Sequence, residues 1–401
     1  MSLRAGLVLL ATAATIGGAA AQPSFTFEGY ADGRLVLPSH QDSWFDGGLG
    51  KLRWSQDDRG FKPTEIVGAA HVLATEDISA TAVLRIEDYQ KTFVDVLEAY
   101  VRYRPVSTNA WRWSVKLGAF FPPISLENNE IGWTSEWTLT PSAINSWVGD
   151  ELRTVGAEAQ VEWRSEPRTI SAIAALYGYN DPAGVLLAFH GWTLEDRPSG
   201  LIDRERLPDA LAIGFGATPP IYAQEIIETD KRLGWYAGLD WEETGFASAS
   251  LLYYDNRADP ESFHHGDFGW RTRFWSVGAK TGYDDFVLIA QGMTGDTTVE
   301  PFADFYSITD FRAAYVLLGW YISDEWKLAA RADAFSTSEN HHTLDEHGHA
   351  FTIAASWMPK DWLRFTAELI QVVSDRKQRL IEGDPAHANE TQFQLSGRVY
   401  F

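Results

Sequence analysis

Charged side chains recur at alternate positions along several segments of this 401-residue chain. Arg85 and Glu87 flank Ile86; Glu98, Tyr100, Arg102 and Arg104 share one parity, and Glu158, Gln160, Glu162 and Arg164 share another. Farther on, Arg331 and Asp333 alternate with Ala330, Ala332 and Ala334, and Arg364, Thr366 and Glu368 alternate with Phe365, Ala367 and Leu369. In extended backbone the side-chain period is two, so each set lies on one face with small or apolar residues on the other. Opposed guanidinium and carboxylate groups across a narrow wet passage orient water and solute dipoles and set ion preference. The same groups could instead pair with one another as ion pairs that fill an interior.

Segment 120–151 holds five carboxylates, Glu127, Glu130, Glu136, Asp150 and Glu151, and no Lys or Arg precedes Arg153. Its apolar residues, among them Ile124, Leu126, Trp133, Trp137, Ile144 and Trp147, would be costly in water on a free loop. They need a wall to pack on, so the segment is expected to fold inward and set Glu127, Glu130 and Glu136 at a constriction. Segment 180–232 carries an apolar run at 185–189 and a mixed-charge block at 195–206. A second inward loop, a cap over the mouth and two uncounted strands all fit it.

Ten His are present. His341, His342, His347 and His349 with Asp345, in the loop 338–349, offer ligands for a divalent metal. A solvated loop explains so loose a spacing equally well, and no metal or cofactor is assigned. A membrane-embedded hydrolase, one rival reading, needs a Ser or Asp close to a His. No G-x-S-x-G nucleophile motif occurs, and the chain is read as a non-enzyme.

The elements that position these charges are strands. Period-two alternation recurs along the whole chain, with no 3.6-residue pattern long enough for a helical domain. At the C-terminus Phe393, Leu395, Gly397, Val399 and Phe401 fall on one face, and Gln392, Gln394, Ser396 and Arg398 on the other. An apolar strand ending on an aromatic fits the closing strand of an outer-membrane β-barrel, lipid on one side and a wet lumen on the other. Residues 1–21 carry Arg4, a short apolar run and a small-residue end at Ala21, the order of a cleaved secretory signal. Aromatics make up 13% of the chain, with 17 Trp, more than a core needs, and rings near strand ends suit interfacial girdles. The absence of Cys rules out a disulfide scaffold, and a net charge of −22 argues against nucleic acid as a partner.

Tight turns alternate with longer polar stretches at 256–269, 295–309, 336–348 and 374–389, as periplasmic turns alternate with extracellular loops. Segments near 24–36, 48–57, 64–75, 79–89 and 92–104 make the strand at 111–119 the sixth of seventeen. An N-terminus in the periplasm requires an odd ordinal there, and bacterial barrels use even totals, so one segment before residue 110 is miscounted. An all-β, transmembrane antiparallel up-and-down β-barrel of 16 strands over residues 22–401 is expected, with 18 strands as the runner-up. A charge facing hydrocarbon at mid-depth costs about 2–4 kcal/mol, so Arg85, Glu98, Arg102, Arg104, Glu158, Arg331, Asp333, Arg364 and Glu368 are expected to line the pore.

Ala99, Tyr100 and Tyr103, followed after a short turn by Gly118, Phe120 and Pro123, match the pattern AY-x-x-Y … G-x-F-x-x-P. This hairpin resembles that of Gram-negative outer-membrane porins, including the phosphate-selective type, and the last ten residues resemble the assembly signature of outer-membrane proteins. The specific likeness covers about forty residues. It implies an outer-membrane location, insertion by the barrel-assembly machinery through Phe401, and a water-filled diffusion channel, often a homotrimer, for small hydrophilic solutes. The acidic loop departs from the basic constriction of the phosphate-selective type, so phosphate is not carried over and a weak cation preference is expected. A non-conducting structural or adhesive barrel is the alternative.

Overall fold

Every second side chain of the first strand turns away from solvent, from Tyr30 through Asp32 and Arg34 to Val36, while Leu35 and Leu37 stay exposed. The pattern repeats around the molecule. In the computed structural model, which describes residues 23–88, 92–209, 221–264 and 266–401, sixteen antiparallel strands close into one barrel in which each pairs with its neighbours in sequence. They are β1 Ser24–Leu37, β2 Gly60–Leu73, β3 Ile78–Ile86, β4 Val94–Tyr103, β5 Trp111–Phe120, β6 Thr154–Ser165, β7 Arg168–Gly178 and β8 Gly234–Glu243. The second half comprises β9 Ala247–Asp255, β10 Arg271–Tyr283, β11 Phe286–Phe302, β12 Phe305–Tyr321, β13 Trp326–Glu339, β14 Glu346–Lys360, β15 Leu363–Arg376 and β16 His387–Tyr400. The expected secretory segment 1–21 lies outside the described residues.

Closure joins the two ends of the chain. β1 pairs with β16 from Tyr30 opposite Tyr400 to Leu37 opposite Phe393, and Gly29 and Phe401 exchange two backbone hydrogen bonds of 3.0 Å. A Cβ on Gly29 would stand 2.3 Å from the Val67 carbonyl and 2.8 Å from the Phe401 ring, so only glycine fits beneath the terminal aromatic. Phe401 in turn stacks on Phe27 at 5.8 Å. With no edge left open, every strand satisfies its neighbours' N–H and C=O groups, as a hydrocarbon environment demands.

The outer face is apolar. Leu117, Val277, Val316, Phe351, Ile353 and Leu369 are exposed on strands whose opposite faces carry buried polar groups. Aromatic rings gather at the end with the short turns, where Phe286 stacks on Trp320 and Trp326 on Trp357. Such a ring belt sits where hydrocarbon meets headgroups.

Two expectations need correction. The segment 48–57 is no wall strand: Leu49, Lys51, Leu52, Arg53 and Trp54 are all buried, on both parities, within the β1–β2 connection. Their apparent alternation reflects burial on all sides inside the barrel. Removing it makes Trp111–Phe120 the fifth strand, an odd ordinal. Nor is 295–309 a long loop, since β11 and β12 run 17 residues each and turn over 303–304. Thr294, Asp296, Thr298, Asp310 and Arg312 there are polar because the strands continue beyond the apolar band, with Arg273 reaching Asp296 at 2.7 Å.

Candidate functional site

Three connections at the long-loop end enter the barrel: 38–59, 121–153 and, through its described part 179–209, the connection 179–233. The second, following β5, crosses to the opposite wall. Ser142 caps helix α1 (Ala143–Glu151), accepting a hydrogen bond from the Asn145 N–H. All nine residues of α1 are buried, so this short helix is held by packing on every side. Trp147 packs edge-on to Trp192 of the 179–233 loop and to Phe274, and lies 5.2 Å from Phe311. Trp137 sits over Gly319, where a Cβ would lie 2.4 Å from its ring, and edge-on to Tyr321.

Wall charges hold the crossing. Arg331 Nη1 donates to Glu127 at 2.7 Å and to the Thr140 carbonyl at 2.7 Å, Nη2 to the Pro141 carbonyl at 2.8 Å, and Nε to Asp333 at 2.8 Å. Asp333 accepts from the Ala143 N–H, and Glu368 from the N–H groups of Leu139 and Thr140. Nearer the turns, Arg364 grips Glu130 bidentately at 2.9 and 3.0 Å. Glu136 accepts from Lys327 Nζ at 2.6 Å and the Tyr321 hydroxyl at 2.7 Å. Burial alone would raise the Glu136 carboxyl, but these two hydrogen bonds and the Lys327 charge hold it below its ordinary range. The three loop acids thus meet wall cations.

The other expected positions are dispersed. Glu158 pairs with Lys116 at 2.8 Å and accepts from the Tyr236 hydroxyl. Glu98 accepts from the Phe121 N–H, tethering the start of the crossing loop. Arg85 is fully buried beside Glu87 at 3.2 Å. Arg102 faces the lumen half-buried. Arg104 does not line the wall: it lies past the end of β4 and is exposed in the turn, where its N–H donates to the Asp77 carbonyl.

Sequence reading missed a second cluster that ties the other two loops down. Arg34 bridges Asp32 and Asp196; Arg53 bridges Asp196 and Glu87; Arg197 bridges Glu87, Asp203 and Glu205. Asp32 and Arg34 share the two-residue spacing of Arg331 and Asp333 and were findable by it. Lys51, Arg53 and Arg197 come from loops, where spacing carries no signal. On the far side Lys51 meets Glu346 and donates to the His190 carbonyl at 2.7 Å. Burial pushes the Lys51 ammonium down to about 7, against the pull of Glu346.

The lumen is asymmetric. Toward the turns its wall is partly open, with Arg112 and Glu162 paired at 2.6 Å and His71 3.2 Å from Glu28, the last two 40% and 53% exposed. At the loop end the wall is buried under the three loops. Beyond them Asp42, Asp46, Asp57, Asp58, Asp209 and Asp384 line an open acidic cavity. The expected histidines do not share one site: His341 meets the Tyr306 carbonyl, His342 meets Asp345, His347 lies 3.4 Å from Asp375, and His349 is exposed on the outward face of β14. Among the described residues, the group of His or acidic side chains with ligand atoms within 4.8 Å of one another is Asp181, Glu228 and Asp230.

No protein-family model and no curated protein matches the chain. Solved structures do. The outer membrane channel DcaP of Acinetobacter baumannii superposes with a TM-score of 0.57 at 11% identity, over 95% of this chain and 98% of that one. The anion-selective porin from Comamonas acidovorans gives 0.51 at 11% identity, over 95% and 100%. The trimer form of Vibrio cholerae OmpT gives 0.52 at 11% identity, again over 95% and 100%. Sixteen strands closed on themselves, with an apolar outer face and charges paired inside, thus make the fold of this chain that of the outer-membrane porins.

Proposed function

We propose that the protein is a passive diffusion channel for small hydrophilic solutes in the outer membrane of a Gram-negative bacterium. One observation carries this reading: a closed barrel with an apolar outer face encloses a charged wall, and the 121–153 loop is pinned across it through Arg331 and Glu368. Charge at a constriction orients polar solutes. The acidic cavity at the loop end supports a weak cation preference, since it concentrates cations ahead of the pinned loop. Export after cleavage near Ala21, insertion through Phe401 and assembly as a homotrimer complete the proposal. The porin folds above, one of them a trimer form, support it.

A second reading, a non-conducting barrel, draws on the depth of loop burial, with Trp192 and Trp44 fully enclosed. Planar-bilayer recording separates the two. The channel reading expects stepwise currents proportional to salt, and silence at every condition would refute it.

A further inference from the structure

The C-terminal end of α1 lies against the 179–233 loop. Ser146 Oγ donates to the Glu195 carbonyl at 2.9 Å and accepts from the Glu195 N–H at 3.0 Å. One turn on, the carboxyls of Asp150 and Glu195, 1% and 2% exposed as residues, hydrogen-bond each other. No N–H or hydroxyl donor reaches Asp150 Oδ1. The charges facing the pair come from every element around it. Arg197 is engaged by Glu87, Asp203 and Glu205, and Arg53 of the 38–59 loop by Glu87 and Asp196. Arg153 donates to the carbonyls of Leu152, Gly149 and Ser199. Asp196 and Glu205 add negative charge. Glu225, fully buried with no hydrogen-bond partner on another described residue, adds a further carboxyl that Glu205, Glu151 and Asp203 act on. Arg85 of β3 adds a cation 3.2 Å from Glu87 that also acts on Glu205. Carboxyls still outnumber the cations in this network, and two carboxyls in hydrogen-bond contact in a dry site hold together only with a proton between them.

We propose that Asp150 and Glu195 form a proton-operated latch that holds the 179–233 loop down on the 121–153 loop, and that its ionisation loosens the plug and widens the lumen. This rests on the channel reading. Burial raises both carboxyls, joined at Asp150 by the nearness of Glu195 and Glu205 and at Glu195 by that of Asp196; Glu195 rises to about 8. The docked loop therefore binds more protons than the undocked one between the ordinary carboxylate range and about 8, and docking weakens as pH rises through that window. One linked proton changes the docked-to-undocked ratio by about tenfold per pH unit.

The test is single-channel recording of the full-length protein in planar bilayers from pH 5 to 9, with and without EDTA, beside the amide pair Asp150→Asn with Glu195→Gln. The latch predicts that open probability rises with pH in the parent, by up to about tenfold per unit, and stays low and flat in the amide variant, which keeps a hydrogen bond without a titrating proton. Amide protection of the parent's segment 192–209 in detergent, taken as exchange corrected for the pH dependence of the intrinsic amide rate, should fall over the same range whether or not the variant folds. A conducting parent with flat pH response, a variant that retains the parent's slope, or pH-independent protection of 192–209 would overturn the latch while leaving the channel. Opening by EDTA at pH 6 would overturn it in favour of a bound cation. Silence at every pH would overturn the channel reading and the latch with it.

Discussion

Arg331 on β13 and Glu127 in the crossing loop are separated by 2.7 Å, and neither side chain has any exposed surface. The two are 204 positions apart in the chain, so this contact fixes where the loop crosses the barrel. The same guanidinium also reaches Asp333 and two loop carbonyls, so Arg331 is the hub of the anchorage.

Removing that hub strands two buried carboxylates. Arg331→Met should destabilise the folded barrel by about 3–5 kcal/mol, the cost of breaking a buried pair from one side. Adding Glu127→Gln should recover part of the loss, because less uncompensated charge remains. Denaturant unfolding in detergent measures both, and a single variant within about 1 kcal/mol of the parent would refute the assignment.

Ion selectivity should follow net charge, not acid count. Glu130→Gln leaves Arg364 unopposed beside the loop and should move the reversal potential toward anions, Arg364→Gln should move it toward cations, and the double variant should resemble the parent. Neutralising Asp42, Asp57 and Asp384 at the mouth should lower cation preference with the inner pairs intact. Reversal potentials in a salt gradient report each outcome.

The outer face should reject charge. Leu369, 40% exposed at the middle of β15, faces outward while Glu368 faces in. Leu369→Arg should cost about 2–4 kcal/mol in lipid vesicles, whereas a soluble β-sheet would tolerate the change. Reversible urea unfolding in vesicles distinguishes them.

Acid should release the loop at Glu136. Its carboxyl is held below the ordinary range, so the stability it contributes is present above that range and is lost as pH falls through the lowered value. Current noise from loop motion should rise in strong acid, and Glu136→Gln should be noisy already at neutral pH. A variant as quiet as the parent at neutral pH would argue against the Lys327 and Tyr321 anchorage.

Much of this was legible from parity. Alternation marks Arg331, Asp333 and Glu368 off from Ala332 and Leu369 because a barrel strand has two unlike solvents, and a one-residue shift would put charge in hydrocarbon. It failed at Lys51 to Trp54, where a loop buried on all sides imitates a strand, and at 295–309, where a strand leaving the membrane becomes polar on both faces. Arg104 shows the further limit that parity places a side chain on a face but says nothing of where the strand stops.

The amino-acid order alone determined the class of fold, since period-two patterning and the aromatic C-terminus are local properties that each strand carries without reference to the rest. Tertiary structure alone decided which charges meet. The partners Glu127 and Arg331, Arg53 and Glu87, and Asp150 and Glu195 come from distant segments, and barrel closure and loop entry bring them together. Burial then sets the protonation of the loop groups, because the cost of a charge depends on what surrounds it in space and not on its neighbours along the chain.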